Sequence, residues 1–273
     1  MARHPAAFGT GAGRAARAGR RRHGMRLALR CLGLACLLLL ALQLYFAVRI
    51  AAMAVFDPGS TAFQRSEATR LARQGRLAGW SQQWVAYRSL PDNLKRAVLA
   101  SEDAGFVRHH GVEWDAVRGA WQRNTRAESQ FARRVEQAEA RGLSIDKLPG
   151  AKVVGGSTIS QQLAKNLFLA GERSLPRKAQ ELIVTLLLEG LLSKQRILEI
   201  YLNSVEWGEG IFGAEAAAQH YFHKPAARLT AYEAARLAVM LPRPKFFERT
   251  PQSAYLSGRA GTIAARMGGV ALP

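Results

Sequence analysis

The sequence predicts a mainly α-helical domain that follows a single transmembrane helix. Residues Cys31–Val48 form a run of 18 residues in which only Gln43 is polar, which is long enough to cross the hydrocarbon core of a bilayer. Beyond this run, apolar residues recur at the spacing of buried helical faces, whereas the alternating runs typical of strands are few. At 273 residues, the chain has room for one sizeable core or two small lobes.

The segment before the apolar run is strongly basic. Residues 1–30 contain eight arginines and no acidic residue, and the positive-inside rule therefore places this end in the cytoplasm. Residues 1–25, rich in Arg, Ala and Gly without a periodic apolar face, are expected to form a disordered tail. We place the membrane anchor at residues 26–56 and one extracytoplasmic domain at residues 57–273.

A cleaved signal peptide is the alternative interpretation of the apolar run. We favour a retained anchor because the run is long for a signal peptide and no convincing small-residue cleavage site follows it; the nearest candidate is residues 51–54. Both cysteines, Cys31 and Cys36, lie at the start of the anchor. The outer domain therefore has no thiol with which to form a disulfide.

The net charge of +19 favours anionic partners. Nucleic acid is a weak candidate, because the sequence lacks zinc-finger spacing, RNP-like aromatic motifs and basic-region heptads. We therefore expect no nucleic-acid partner.

The first clear helix of the outer domain follows Pro91. Leu94, Val98 and Ser101 lie at the spacing of a buried stripe, and Glu102 continues that stripe four residues after Val98. A carboxylate at the end of an apolar face is partly desolvated, which raises its pKa toward that of a useful general base. Taken alone, the same pattern also fits an ordinary glutamate at the rim of a helix.

A second helix is predicted after Thr158. Thr158 and Gln161 have the spacing of a reciprocal capping box, and the preceding Gly155-Gly156 allows a sharp turn into the helix. The polar face of this helix carries Gln162, Lys165 and Asn166. A basic, acid-poor face beside a helix N-terminus suits anion binding, although an ordinary amphipathic surface helix has the same pattern.

Further helix starts are predicted at Ser174 and Ser193. In the first of these helices Arg177 and Glu181 lie four residues apart, which alone indicates no more than a weak ion pair. A glycine-rich segment at residues 208–213 interrupts the helical pattern, and the last clear helix spans Ala231–Met240.

Together these residues resemble the peptidoglycan glycosyltransferases of family 51, in particular the short, membrane-anchored, monofunctional biosynthetic transglycosylases. The likeness extends from about Ser60 to Pro251 and consists of five motifs in order. The first motif is matched by Glu102, Asp103, Phe106, His109 and Gly111; the second by Gly156-Ser157-Thr158, Gln161-Gln162 and Lys165-Asn166; the third by Arg177, Lys178 and Glu181; the fourth by Ile197–Asn203; and the fifth by Ala234–Ala238.

The resemblance implies a lysozyme-like, two-lobed glycosyltransferase domain that polymerises lipid II. The growing glycan would pass from its undecaprenyl diphosphate to the 4-hydroxyl of lipid II with inversion, forming β-1,4 links, which requires one displacement with one base. It also implies a bacterial inner membrane location with a periplasmic catalytic domain. Cell-wall synthesis or division proteins are further candidate partners.

The same resemblance assigns roles to the motif residues. Glu102 is the expected base and Glu181 a second catalytic carboxylate. The expected substrate-binding residues are Lys165, Arg177, Lys178, Gln161, Ser157, Thr158 and Asn166, the cations among them neutralising the departing diphosphate. Asp103, Phe106, His109, Gly111 and Asn203 are expected to support the motif loops. No cofactor is required, although a divalent Mg or Mn ion could bridge the diphosphate.

Two other functions are weighed against this one. A lysozyme-like lytic enzyme would use one carboxylate as an acid, but its neutral leaving group needs no cation cluster. A non-catalytic cell-wall scaffold would not need the complete motif set. The chain also departs from the family in a charged insert at about residues 123–152, whose Ser144 and Lys147 match a penicillin-reactive pattern that we attribute to chance.

Overall fold

The computed structural model describes residues 11–140, 155–169 and 174–273. The chain divides between Arg49 and Ile50 into two compact units. Helices dominate both units, and the described strands are three very short ones, which confirms the mainly α prediction.

The first unit contains most of helix α1 (Gly11–Ala52). Its segment Met25–Ala52, 28 residues long, is apolar enough to cross a membrane, and only 6% of its most apolar window is buried. Leucines this exposed would be unfavourable in water, whereas lipid solvates them and the helix satisfies its own backbone hydrogen bonds. The helix therefore fits a single-pass membrane anchor.

Two boundaries differ from those predicted. Residues 11–24, expected to lie in a disordered tail, continue helix α1, because alanine and arginine favour helix and a helix, once nucleated, propagates at little cost. At its other end the helix stops at Ala52 rather than following the apolar run to Phe56. Ile50 and Met53 are buried, and both belong to the second unit.

Helix α2 (Ala62–Arg73) begins the series of helices in the second unit. Thr61 and Gln64 form a reciprocal capping box there. A short strand β1 (Ser81–Gln82) follows, and then helix α3 (Asp92–Glu102). The predicted apolar stripe of α3 is buried and faces helices near the C-terminus.

Helix α4 (Trp114–Ala140) contains the described part of the predicted insert. Its residues 123–137 are mostly exposed, as expected for a charged segment with few apolar positions. Residues 141–154, including Ser144 and Lys147, lie outside the described residues.

Helices α5 (Ile159–Phe168), α6 (Leu175–Leu191) and α7 (Lys194–Ser204) pack together. The caps predicted for them are present, since the side chains of Thr158, Ser174 and Ser193 each accept a backbone N–H three residues on. Helix α5 packs against α2, α6 and α7. Its buried face therefore points into the core, and its polar face remains available to a cavity.

A three-stranded sheet follows α7 in the chain. Strands β2 (Glu206–Gly208) and β3 (Ile211–Phe212) pair antiparallel, and β1 pairs parallel with β3, giving the order β1-β3-β2. Gly210 makes the turn with φ of 78°, a left-handed conformation that glycine adopts without strain. The glycine-rich segment is therefore a hairpin.

The remaining helices are α8 (Ala214–Phe222), α9 (Ala231–Met240), α10 (Pro244–Arg249) and α11 (Ala254–Arg266). Helix α9 packs against both α3 and α11, and α10 packs on β2. This packing fixes the position of Glu102 at the end of α3 and of Glu206 at the start of β2.

Candidate active site

Glu102 is the last residue of α3 and is half-buried. Its carboxylate accepts hydrogen bonds from Gln162 Nε2 at 3.1 Å and from Ser101 Oγ at 3.3 Å. Burial raises the pKa of Glu102 above its ordinary value, and the two hydrogen bonds only partly oppose that rise. The carboxylate is therefore a stronger base than an exposed glutamate.

Gln162 is held in one orientation by a tyrosine behind it. The hydroxyl of Tyr201, fully buried on α7, donates to Gln162 Oε1 at 3.0 Å. Burial, with the nearby Glu102 and Asp103, raises the Tyr201 pKa well above its usual value, so the hydroxyl remains a donor. Because Oε1 is occupied, the amide NH₂ of Gln162 faces Glu102.

The loop after α3 is tied to the start of α5 through Asp103. Its buried carboxylate accepts the Ile159 backbone N–H at 3.0 Å and is contacted by His109 Nε2 at 2.9 Å. His109 Nδ1 accepts the Gly111 backbone N–H. Nε2 must then carry the proton and donate to Asp103, and this pair ties the loop to the start of α5.

Phe106 and Gly111 complete this loop. Phe106 is buried, with Lys194 Nζ 4.3 Å from its ring centroid. Gly111 has φ of 89°, and a Cβ there would lie 2.8 Å from Thr185 Cγ2. No larger residue fits this close approach, and the oxygen of Gly111 accepts the Thr158 hydroxyl. The loop therefore sets the spacing between α3 and α5.

A cavity of about 380 Å³ opens beside this network. It is lined by Phe63, Ser66, Gln162, Lys165, Asn166, Leu169, Arg177, Val205, Glu206, Leu241 and Pro244. Three of the residues on the polar face of α5 thus line one cavity with Arg177 of α6. Gln162 belongs both to the cavity wall and to the hydrogen-bond chain that ends on Glu102, so it connects the candidate base with the cations.

Glu181 positions the cations of α6. Its buried carboxylate pairs with Arg177 Nη1 at 3.7 Å and with Lys178 Nζ. Arg177 Nε is buried and makes no hydrogen bond to the described residues. A buried donor without an acceptor is costly.

Four of the predicted substrate-binding residues occupy other positions. Gln161 and Thr158 form the capping box of α5 and are buried. Gln161, Ser157 and Lys178 line a separate, more apolar groove of about 370 Å³ that also includes Trp114 and Trp121. The structure therefore brings Lys165, Asn166 and Arg177 together, but not these four.

Asn203 serves the fold. It is fully buried, accepts the Val85 N–H at 2.8 Å, and donates to the carbonyl oxygens of Val85 and Glu199 at 2.8 and 2.9 Å. These bonds hold the segment after β1 against α7.

The donor set does not fit a metal held by the protein. The described residues contain no group of three His, Cys, Asp or Glu side chains that could hold an ion, and the cavity presents amides and cations. A divalent ion at the diphosphate would have to rely on phosphate oxygens.

Three residues of the site are absent from the expected catalytic and substrate-binding residues. Gln162 shares a helical face with Lys165 and Asn166 and stands in the second motif, so its position is readable from the sequence. Tyr201 lies within the fourth motif, but its contact with Gln162 and the position of Glu206 in the cavity wall carry no local signal, because their neighbours come from distant parts of the chain. Burial, which Lys245 partly offsets and Glu67 reinforces, raises the pKa of Glu206 to about 7.

Glu206→Gln should change stability in a pH-dependent way. Because the native carboxyl holds its proton more tightly than the unfolded one, with pKa about 7 against 4.5, wild-type stability falls as pH rises between those values. The variant does not lose stability in this way, because glutamine does not ionise. We expect it to be more stable by roughly 1–3 kcal/mol at pH 8 and equal at pH 4, in denaturant unfolding of the full chain in detergent.

Glu67→Gln is the matched control. Burial opposes ionisation of Glu67, but hydrogen bonds from Arg70 and Lys245 outweigh it and lower the pKa. This variant should therefore lose stability at neutral pH and match the wild type in acid, the opposite sign. Equal pH profiles for Glu206→Gln and wild type would contradict the assignment of a raised pKa to Glu206.

Comparison with known proteins gives concordant similarities. A family model described as Transglycosylase matches residues 67–133 and 137–268. The biosynthetic peptidoglycan transglycosylase of Burkholderia pseudomallei (strain K96243) is 52% identical over 234 residues, which cover 86% of this chain and 83% of that protein. The one from Janthinobacterium sp. (strain Marseille) is 48% identical over 237 residues, covering 87% and 93%.

Proposed function

The chain belongs to the transglycosylase family and is a peptidoglycan glycosyltransferase, and we propose that it polymerises lipid II. In this proposal the growing glycan leaves its undecaprenyl diphosphate and joins the 4-hydroxyl of the next lipid II with inversion, forming a β-1,4 link. The main support for the proposal is Gln162, which is hydrogen-bonded to Glu102 and lines the same cavity as Lys165 and Arg177.

Glu102 acts as the general base. As the acceptor oxygen attacks the anomeric carbon, the proton of the 4-hydroxyl passes to the Glu102 carboxylate, and the bond from that carbon to the diphosphate oxygen breaks. The raised pKa of Glu102 strengthens it as a base, and Gln162, itself held by Tyr201, donates a hydrogen bond to Oε2 of the carboxylate.

The cations stabilise the leaving group. Lys165 and Arg177 line the cavity, where positive charge is worth most as the diphosphate gains charge in the transition state. Glu181 orients Arg177 and acts through it. This arrangement favours a diphosphate over a neutral sugar as leaving group, and therefore synthesis over lysis.

We also propose that the protein is a single-pass inner membrane protein with a cytoplasmic N-terminus and a periplasmic catalytic domain. The apolar helix and the arginines before it support this orientation. Lipid II, the membrane and the nascent glycan are then its immediate partners.

The full-length protein, incubated in detergent or vesicles with labelled lipid II, tests the proposal. We expect long glycan polymer and release of undecaprenyl diphosphate. Isolated peptidoglycan serves as the second substrate. Release of small glycan fragments from it, without polymer from lipid II, would instead identify a lytic enzyme.

Removing the anchor should lower polymerisation more than it lowers stability. The substrate is confined to the membrane, so the anchor supplies effective concentration. We expect a chain starting at Ile50 to fold but to polymerise bilayer-embedded lipid II poorly. Equal rates for the truncated and full-length chains on vesicles would contradict this expectation.

The cut position matters, since the predicted domain boundary lies after Phe56. A chain starting at Asp57 loses the buried Ile50 and Met53 and the carbonyl oxygens of Met53 and Phe56 that accept hydrogen bonds from Arg196. It should unfold at lower denaturant concentration than the chain starting at Ile50.

A further inference from the structure

Glu206 lies in the wall of the active-site cavity, which it shares with Lys165 and Arg177. It is the first residue of β2, paired opposite Phe212 of β3, and only 6% of its surface is exposed. The strand pairing holds its backbone at the cavity wall.

This carboxylate has unused capacity to accept hydrogen bonds. The carboxylate is hydrogen-bonded by the Gly210 backbone N–H, whereas its buried Oε1 accepts no hydrogen bond from the residues that the structure describes. Lys245 Nζ lies 3.2 Å from Oε1 as an ion-pair contact, but it lies closer to Glu67 Oε2, at 2.6 Å. Two carboxylates thus share one ammonium, and the one on the cavity is the less well compensated.

The occupant that fits this wall carries hydrogen-bond donors together with an anion. Lys165 and Arg177 attract the anion, whereas the negative charge of Glu206 repels one and attracts O–H or N–H groups. A cavity of about 380 Å³ is in the range of small-molecule sites. A saccharide that bears a diphosphate has both kinds of group in one molecule.

We propose that Glu206 is a saccharide-binding residue, which accepts a hydrogen bond from a hydroxyl or acetamido N–H of the sugar whose diphosphate lies against Lys165 and Arg177. The proposal rests on the proposed function, since it assumes a sugar diphosphate in this cavity. Its near-neutral pKa agrees with a group whose charge lacks a full partner until substrate binds.

The competing explanation is a purely structural ion pair with Lys245. Glu67 provides the matched control, because it contacts the same ammonium but does not line the cavity. Glu67→Gln therefore disturbs the ion pair without removing a cavity carboxylate.

The experiment measures binding of lipid II and of undecaprenyl diphosphate, which lacks the sugars, to the full-length protein in detergent. Glu206→Gln should weaken lipid II binding about tenfold to a hundredfold, the scale for a hydrogen bond to a charged group. Undecaprenyl diphosphate should bind at least as tightly as it binds wild type, since the cations remain and a carboxylate that repels the diphosphate is removed. Glu67→Gln should leave both affinities unchanged, and Glu206→Asp should recover part of the loss.

Equal weakening of both ligands in Glu206→Gln, no weakening of lipid II, or the same loss in Glu67→Gln would overturn the proposal. Thermal unfolding of each variant shows that a loss is not misfolding, and Glu206→Asp supplies a second folded variant. Failure of the proposed function is seen separately, because the wild-type protein would then not polymerise lipid II at all.

Discussion

Glu102→Gln is expected to lower lipid II polymerisation by about two to four powers of ten. The change keeps the size of the side chain and its contact with Gln162, but removes the group that takes the acceptor proton. Because burial already disfavours the Glu102 charge, the neutral amide should not destabilise the fold. Turnover of labelled lipid II by the full-length variant measures the effect.

A binding measurement distinguishes a variant that has lost only its general base from one whose binding site is damaged. Undecaprenyl diphosphate should bind Glu102→Gln as it binds wild type, since Lys165 and Arg177 are unchanged. Glu181→Gln is the comparison, because Glu181 contacts the cations and should weaken diphosphate binding. Normal polymerisation by Glu102→Gln together with loss in Glu181→Gln would move the role of base to Glu181.

The pH profile gives the same assignment a second readout. A general base works only when deprotonated, so kcat/KM should fall as pH drops through the pKa of Glu102. That pKa is raised, and the fall should therefore begin at a higher pH than for an exposed glutamate. The residual activity of Glu102→Gln should lack this contribution.

Lys165→Ala and Arg177→Ala should each lower turnover by roughly two to three powers of ten, the scale for losing one preorganised charge-stabilising group. Arg177→Lys should restore only part of the activity, because a lysine cannot grip two phosphate oxygens with a planar fork. Single-turnover rates with labelled lipid II measure both effects.

Lys178→Ala is the matched control for these cations. Lys178 neighbours Arg177 in the chain and pairs with the same glutamate, yet its side chain is 55% exposed and lines the separate groove. Its loss should cost much less than that of Arg177. Wild-type turnover by either Lys165→Ala or Arg177→Ala would show that the diphosphate does not lie in this cavity.

The helices and their starts were predictable because their signals are local. A cap such as Thr158 acts on a backbone N–H three residues away, and the buried stripe of α3 repeats within one helix. The order of the motifs also indicated Glu102, Lys165 and Arg177 as a set. Each of these inferences depends on neighbours in the sequence or on a family pattern.

The extent of α1 was predicted less well, for a physical reason. Composition suggested a disordered tail, but helix propagation costs little once the apolar segment has formed a helix. At the other end, hydropathy cannot distinguish an apolar residue that faces lipid from one in a protein core. Ile50 and Met53 are buried in the second unit, and only packing reveals it.

The sequence by itself determined the anchor, the helical class, the caps and the identity of the candidate base and cations. The tertiary structure decided which of them meet. Gln162 reaches Glu102 across 60 residues of sequence, and Tyr201 reaches Gln162 across 39. Glu206 lines one cavity with Lys165 and Arg177 only because elements that are distant in the chain pack around that cavity. Such contacts depend on the angles and distances between packed elements, which no local pattern of residues specifies.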